Sequence, residues 1–511
     1  MDLHPNRMAM TPSHLLIRAD AGGALGTGHV MRMIALAQAW QERGGEVTIA
    51  TGQCPPPVAQ IVQCQQIGWQ NLAVETLGDA DDVQKCIELG AQLAASWIVL
   101  DGYHFGEDYQ IGLKQAGFKV LAVDDYGHCE TWHSDLVLNQ NLHVIGAAKT
   151  LWNGVAQAAC LAGPQFALLR REFRQWRPSA SMKRDCATRI LITFGGVDPT
   201  GAAVKIVAAL NQSTQRQLEL KVLAGPANPN LSALAVIAQK SPHAIELIPS
   251  TLDMPALYEW SDRVISAGGS SSYEWMRMRV PGWVTAVAMN QEQFVAAMLE
   301  RGFAAGVASI EGLSPDALAA LLNQWLDDPE PPQQGQIDGW GALRVAAAMA
   351  DVPCWIRPVE VASDAEFLLS LANEPSVRNV GCYPAKIEME EHFAWLNRHH
   401  ASPSSRLMVI ETLERGPVGQ ARFHEREPQV WEIGISILPA ARMAGLAATA
   451  LGLAMRAVSA TTEVKTWLAR IRKDNQASSR LFAKLGFVVR SDDGEMQNWE
   501  LPNKINQPLK S

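Results

Sequence analysis

The chain has 511 residues, room for about three domains at roughly 100–200 residues each, which excludes a minimal binding module. Hydrophobic residues make up 48% and charged residues 19%, a balance that buries large cores and excludes extended disorder. A net charge of −9 argues against a general grip on nucleic-acid phosphates, so an anionic substrate needs a locally built site. No apolar run approaches the ~18 residues of a membrane span, and Met1 to Ser13 lacks the basic start and apolar middle of a signal peptide. The expected partners therefore include neither nucleic acid nor membrane, and the expected compartment is the cytoplasm. The eight cysteines (54, 64, 86, 129, 160, 186, 354, 382) form no C-x-x-C pair, so they are expected as mostly buried reduced thiols.

From Leu15 to about Ala162, short apolar runs (Leu15 to Ile17, Val47 to Ala50, Trp97 to Leu100, Val120 to Val123, Leu136 to Leu138) alternate with helical-period segments. That alternation predicts a parallel sheet with helices on both faces. The polar stretch Arg177 to Asp185 interrupts it. A second series follows in Arg189 to Phe194, Glu219 to Leu223, Ala244 to Ile248, Arg263 to Ser266 and Trp283 to Val287. After the prolines at 329, 331 and 332 and one more helix, Ala342 to Ala350, the pattern changes to strands in Leu407 to Glu411, Val418 to Phe423, Val430 to Leu438 and Val464 to Ile471. The expected domains are two Rossmann-like halves, 1–176 and 177–351, and an independent α+β domain, 352–511.

In the first half, strand Leu15 to Asp20 runs through the glycine-bearing loop Ala21 to Gly28 into a helix opening at His29, an arrangement that binds anions. The loop reads Gly23-x-x-Gly26-x-Gly28 and the second strand ends in Thr51-Gly52, which argues against a nicotinamide cofactor. At the positive end of the helix dipole a neutral imidazole is favoured, and it can take a proton from water. On position alone, His29 reads either as a base or as a polar residue that starts a helix. Other strands end in Asp101-Gly-Tyr103-His104, Asp124-Asp125-Tyr126 and Asn139-Gln-Asn141, whose polar groups should line one crevice, individually either site residues or solvated turns. In the second half, Gly195-Gly-x-Asp198 and Gly268-Gly269-Ser270-Ser271-Ser272 follow strands, and freed glycine amides suit a diphosphate. Glu274 would repel that diphosphate, so it suits ribose hydroxyls or merely complements its helix dipole. Neither loop is a P-loop, and no aspartate pair stands out as a magnesium anchor, so no metal is expected.

These motifs, with Arg18-Ala-Asp20, Gly26-Thr-Gly28-His29-Val-Met-Arg32, Phe166 to Phe173 and Asn290-Gln291, make the first ~350 residues resemble the UDP-sugar hydrolases of pseudaminic acid biosynthesis. That family releases UDP from UDP-2,4-diacetamido-2,4,6-trideoxy-β-L-altropyranose and is similar in architecture to GT-B glycosyltransferases. The resemblance implies that His29 is the water-activating base and that Arg170 and Glu274 contact substrate or nucleotide. It also implies that Gly268, Gly269, Ser270 and Ser271 cradle the diphosphate and that Asn290 and Gln291 bind substrate. Asp20, Asp101, Tyr103 and Asn139 are candidates for positioning water or sugar. The same scaffold carries sugars to acceptors in other families, so a glycosyltransferase with an accessory acyltransferase is the alternative.

In the last domain, Arg442-x-x-Gly445-x-Ala447 at a strand-to-helix passage, with Asn475-x-x-Ser478 to Gly486-Phe487 after it, resembles the GNAT-type N-acetyltransferases over roughly Trp355 to Leu501. The resemblance implies acetyl-CoA as cosubstrate, held at Ile437, Arg442, Ala444, Gly445, Ala447 and Asn475 between splayed strands. Glu432 is expected either to draw the amine proton through water or to be a structural edge glutamate. Phe482 stands where many relatives have a tyrosine. Tyr383, Phe393 and Trp395 are expected to pack the core. The domain most resembles the enzyme that acetylates the 4-amino group of the UDP-sugar just before hydrolysis, so the expected chain joins consecutive steps on a UDP-sugar.

Overall fold

The computed structural model describes residues 14–22, 25–145, 152, 160–175, 188–195, 198, 200–212, 217–225, 228–249, 251, 253–327, 337–379, 385–442 and 445–503. The first sheet contains β1 (Leu15–Ala19), β2 (Val47–Thr51), β3 (Gly68–Asn71), β4 (Trp97–Asp101), β5 (Lys119–Val123), β6 (Leu136–Asn139) and β7 (Cys160–Ala162). All pairings are parallel, in the order β3-β2-β1-β4-β5-β6-β7. β1, β2 and β4 are buried at every position, which is why their sequences read as unbroken apolar runs.

A second parallel sheet is built from β8 (Thr188–Thr193), β9 (Leu218–Leu223), β10 (Ala244–Ile248), β11 (Arg263–Ala267), β12 (Gly282–Ala286) and β13 (Ala305–Ser309). Its order, β10-β9-β8-β11-β12-β13, repeats the winding of the first sheet. Each sheet reverses its direction of winding once, between β1 and β4 and between β8 and β11. Crevices at the carboxyl ends of such switch-point strands are where open α/β sheets take ligands. The two halves meet at a buried contact in which the Tyr273 hydroxyl donates to the Gln140 carbonyl (2.6 Å).

The third sheet holds β14 (Cys354–Pro358), β15 (Ser405–Thr412), β16 (Gly416–Glu427), β17 (Val430–Ile437), β18 (Thr466–Arg472), β19 (Val488–Asp492) and β20 (Met496–Pro502). Its order is β14-β15-β16-β17-β18-β20-β19. β17 and β18 are parallel and laddered only from Val430 to Glu432; beyond Glu432 they part. Apolar residues of one sheet face (Met408, Ile410, Phe423, Trp431, Ile433) pack on the helix Leu446–Ser459. The other face carries Leu407 and Val409 against the helices Val361–Asn373 and Met389–Ala401.

The fold is therefore α/β, two Rossmann-like halves followed by an α+β domain. Compact units divide at Val345/Ala346, inside the helix Gly341–Ala348 and ahead of the expected 351/352 boundary. Two packing expectations are corrected. Of the six described cysteines only Cys86 and Cys354 are buried, and Cys64 is exposed because its helix turns Val58, Ala59 and Val62 inward instead. Phe393 is 44% exposed, because the buried stripe of the helix Met389–Ala401 runs through His392 and Leu396 and leaves Phe393 at its edge. Trp395 does pack, while Tyr383 lies outside the described residues. Among the described residues no helix is long and apolar enough to cross a membrane.

Candidate active site

The helix Gly28–Glu42 starts directly beyond the β1 loop and sets His29 at its first turn, 8% exposed. β4 ends at Asp101, in register with Ala19 of β1, so the carboxylate arrives at the same rim. His29 Nδ1 lies 2.7 Å from Asp101 Oδ1. A carboxylate only accepts, so this contact calls for an Nδ1–H; Arg32 Nη2 also lies 3.3 Å from that nitrogen. Arg32, one helical turn after His29, donates to both Asp101 oxygens (2.7 and 2.6 Å) and to both Asp125 oxygens (2.9 Å each). Such bidentate pairs fix orientation as well as charge. Burial opposes ionisation of Asp101, but Arg32 and His29 outweigh it and hold that carboxyl below the usual range. The same balance, dominated by Arg32, depresses Asp125.

Tyr103 meets the His29 ring edge-on at 5.1 Å and donates its hydroxyl to Asp125 (2.8 Å). Burial and the Asp125 charge push the phenol far above its ordinary range, so the hydroxyl keeps its proton at neutral pH. Asn290, from the other half, donates to that hydroxyl at 3.0 Å. His29, Asp101, Tyr103 and Asn290 are thus brought together. Arg32 and Asp125 complete the group; Asp125 is one of the polar strand-end residues expected to line the crevice, whereas Arg32 carried no role from sequence, its signal being an arginine three residues after the histidine on an otherwise buried helix.

Two first-half candidates are placed differently. Asp20 accepts from the Gly52 and Gln53 amides (2.7 and 2.9 Å) and pairs with Arg18 (2.7 Å) and His104 (2.9 Å), so its oxygens anchor the loop after β2. Asn139 is buried and accepts from the Asn141 amide (2.9 Å), shaping the turn that brings Asn141 within 3.2 Å of Asp125.

In the second half, the turn Gly268 to Ser271 leads from β11 into the short helix Ser272–Arg277. A side chain at Gly268 would come within 2.1 Å of Val295 Cγ2, so only glycine fits this approach. Gln291 accepts from the Val287 amide (3.0 Å) and lies beside the turn. Glu274 is half-buried and accepts from the Tyr258 hydroxyl (3.2 Å). Burial pushes its carboxyl up to about 7, partly offset by Arg170 and that hydroxyl. Arg170 is 4% exposed and stacks over Phe173, 5.4 Å from the ring centroid. Asp198 caps the helix Ala202–Leu210 through the Ala202 and Ala203 amides (2.9 Å each), while Gly196 lies outside the described residues.

In the third sheet, Glu432 is the last β17 residue laddered to β18 and sits where the strands part, ion-paired to Arg426 at 2.5 Å. Ile437 is buried, and its carbonyl accepts from Arg442 Nε (3.1 Å), whose Nη2 reaches Ser376 (2.7 Å). Arg442 therefore ties the loop to its own domain. Gly445 has φ 90°, a left-handed conformation that favours glycine and turns the chain into the helix Leu446–Ser459. The amides of that first turn, with half-buried Ala447, form an anion-receptive end. Ala444 lies outside the described residues. Asn475 accepts from the Ser478 amide (3.1 Å), so it caps the helix Gln476–Lys484. Phe482 is buried against Phe487, ring centroids 5.0 Å apart, and belongs to the core.

Residues 354–488 match the acetyltransferase (GNAT) domain family. The spore coat polysaccharide biosynthesis protein SpsG of Bacillus subtilis is 24% identical over 348 residues, 66% of this chain and 98% of that protein. The UDP-2,4-diacetamido-2,4,6-trideoxy-β-L-altropyranose hydrolase of Campylobacter jejuni is 23% identical over 292 residues, 57% of this chain and 97% of that protein. Among solved structures, MurG of Acinetobacter baumannii covers 67% of this chain and 96% of its own, at 16% identity and a TM-score of 0.43. A spermidine N-acetyltransferase from Vibrio cholerae in complex with CoA and spermine covers 29% and 95%, at 18% identity and a TM-score of 0.26. The chain thus joins a two-sheet unit homologous to that hydrolase and to SpsG with a C-terminal GNAT acetyltransferase domain.

Proposed function

We propose that the two-sheet unit hydrolyses a UDP-linked 2,4-diacetamido-2,4,6-trideoxy sugar, UDP-2,4-diacetamido-2,4,6-trideoxy-β-L-altropyranose, to UDP and free sugar. The GNAT domain, on this reading, first acetylates the 4-amino group of the precursor with acetyl-CoA, in pseudaminic acid biosynthesis. The observation that carries the hydrolytic half is the His29–Asp101 pair locked by Arg32 at the switch point of the first sheet. Asp101 holds the Nδ1–H tautomer, so Nε2 takes a proton from water as the oxygen attacks the anomeric carbon. The bond to the diphosphate oxygen breaks on the opposite side, giving inversion. UDP is a good leaving group, so orientation and electrostatics supply most of what is needed. The Gly268 to Ser271 turn receives the diphosphate, Glu274 the ribose hydroxyls, and Tyr103 and Asn290 the sugar. In the GNAT domain the amine attacks the thioester directly, one amine proton leaves by way of Glu432, and the thiolate departs as CoA thiol.

The test is incubation with acetyl-CoA and the UDP-4-amino sugar, following free thiol, UDP and sugar by NMR. Acetylation followed by release of UDP and the inverted free anomer is expected; release of UDP only on addition of a second sugar acceptor would establish glycosyl transfer instead.

The raised Glu274 carboxyl gives a pH signature. Its ionised form accepts hydroxyl hydrogen bonds, so UDP affinity should rise several-fold between about pH 6 and pH 8 as the group ionises. Glu274→Gln should flatten that rise in calorimetric titrations; an equally steep curve in the variant would assign it to the phosphate alone.

For the acyl donor, Gly445→Glu should abolish CoA binding, because a carboxylate then faces the pyrophosphate. Gly445→Asn, which tolerates φ > 0 and is uncharged, separates this from backbone strain and should retain binding. Equal loss in both variants would place the effect in the turn.

A further inference from the structure

A polar row crosses the third sheet on the face that carries the Val361–Asn373 and Met389–Ala401 helices. Ser405 of β15 is in register with His424 of β16, and His424 with Glu432 of β17, so the three side chains point to one face. Ser405 Oγ is 2.8 Å from His399 Nδ1 and 3.2 Å from His424 Nδ1, and the residue is 5% exposed. One hydroxyl carries one proton. It can donate to one imidazole only while accepting from the other, so the two rings must adopt complementary Nδ1 states. The far end of the row, Glu432, stands where β17 and β18 part.

We propose that Glu432, His424, Ser405 and His399 form a relay that carries a proton away from the acceptor amine during acyl transfer. This rests on the acetyl-transfer reading above. An alkylammonium and a thioester give an amide, a thiol and one proton; the thiolate keeps one amine proton, and the row exports the other. A proton received from the Glu432 side at His424 Nε2 releases the Nδ1 proton to Ser405, whose own proton passes to His399 Nδ1, and His399 Nε2 returns one to water. Burial and the charges of His424, Arg398 and Arg422 hold the His399 ring below the usual histidine range, so it does not retain the proton. Other charged groups flanking the row are Arg426, paired to Glu432, with Glu425 on β16 and His400 on the helix. Trp395 covers the His399 ring at 4.6 Å.

The test uses the full chain with 13C-labelled histidine, resonances assigned through His399→Asn and His424→Asn. In the wild type the two rings should titrate as a coupled pair, and in Ser405→Ala independently. Acetyl transfer to the UDP-4-amino sugar should fall about tenfold or more in kcat in Ser405→Ala, with KM for acetyl-CoA unchanged and the solvent isotope effect altered; Ser405→Thr should restore it. Independent titration in the wild type, or an unchanged pH profile and isotope effect in Ser405→Ala, would overturn the relay. Absence of any wild-type acetyl transfer would instead remove the acetylation reading, leaving the relay to be judged on the titrations.

Discussion

Replacing His29 with alanine is expected to slow UDP release by about 10²–10⁴-fold while acetylation proceeds at the wild-type rate. On the proposed reading the ring is the base, held by Asp101 at a helix start, and its removal would leave water unactivated. The fold should survive, since Arg32 keeps both carboxylates without it. Single-turnover release of UDP from the diacetamido substrate, beside thiol release from acetyl-CoA, checks both halves in one sample. Unchanged UDP release would take His29 out of the mechanism; parallel loss of both activities would mean that the substitution had spread beyond its site.

The second large effect is on stability. Arg32→Met leaves Asp101 and Asp125 buried without their shared cation, at a cost of about 3–5 kcal/mol at neutral pH. The sign with pH is distinctive. Both carboxyls are depressed in the wild type, so their contribution is present above the ordinary carboxylate range and is lost as pH falls toward their folded values. In the variant at least one carboxyl must rise, and its penalty is relieved by protonation. The difference between variant and wild type should therefore shrink as pH is lowered from about 7.5 to 5. Denaturation followed at both pH values measures it; a constant difference would show that packing, not charge, is what Arg32 supplies.

Much of this was legible from patterning. The central strands of both parallel sheets are buried on two faces, so their apolar runs stand out, and the glycine turns after β1 and β11 mark their carboxyl ends. Six described strands, β3, β7, β13, β14, β19 and β20, are not among the expected ones, and β3 and β19 show one reason. β3 reads Gly-Trp-Gln-Asn at a sheet edge, and β19 is exposed along its whole length, so neither has a buried face to impose a pattern. At the site, His29 stands out at a helix start after a glycine loop, and Asp101 and Tyr103 as polar groups after a strand. Arg32 was hidden because it sits inside a helix whose apolar positions absorb attention, and its role depends on two carboxylates from separate strands. Asp20 and Asn475 read as ligands in sequence, yet Asn475 caps a helix amide and Asp20 is held by two loop amides, Arg18 and His104.

The Arg32 cluster also sets a direction. One guanidinium stands against two carboxylates, so the wall that holds the base carries an excess of one negative charge. A phosphate about 6 Å from that excess would feel a repulsion of roughly 2–3 kcal/mol per unit charge at an effective dielectric near 20. On the proposed reading, this polarity would turn the phosphates of a nucleotide sugar toward the glycine lip and discourage spent UDP from sliding back over the imidazole.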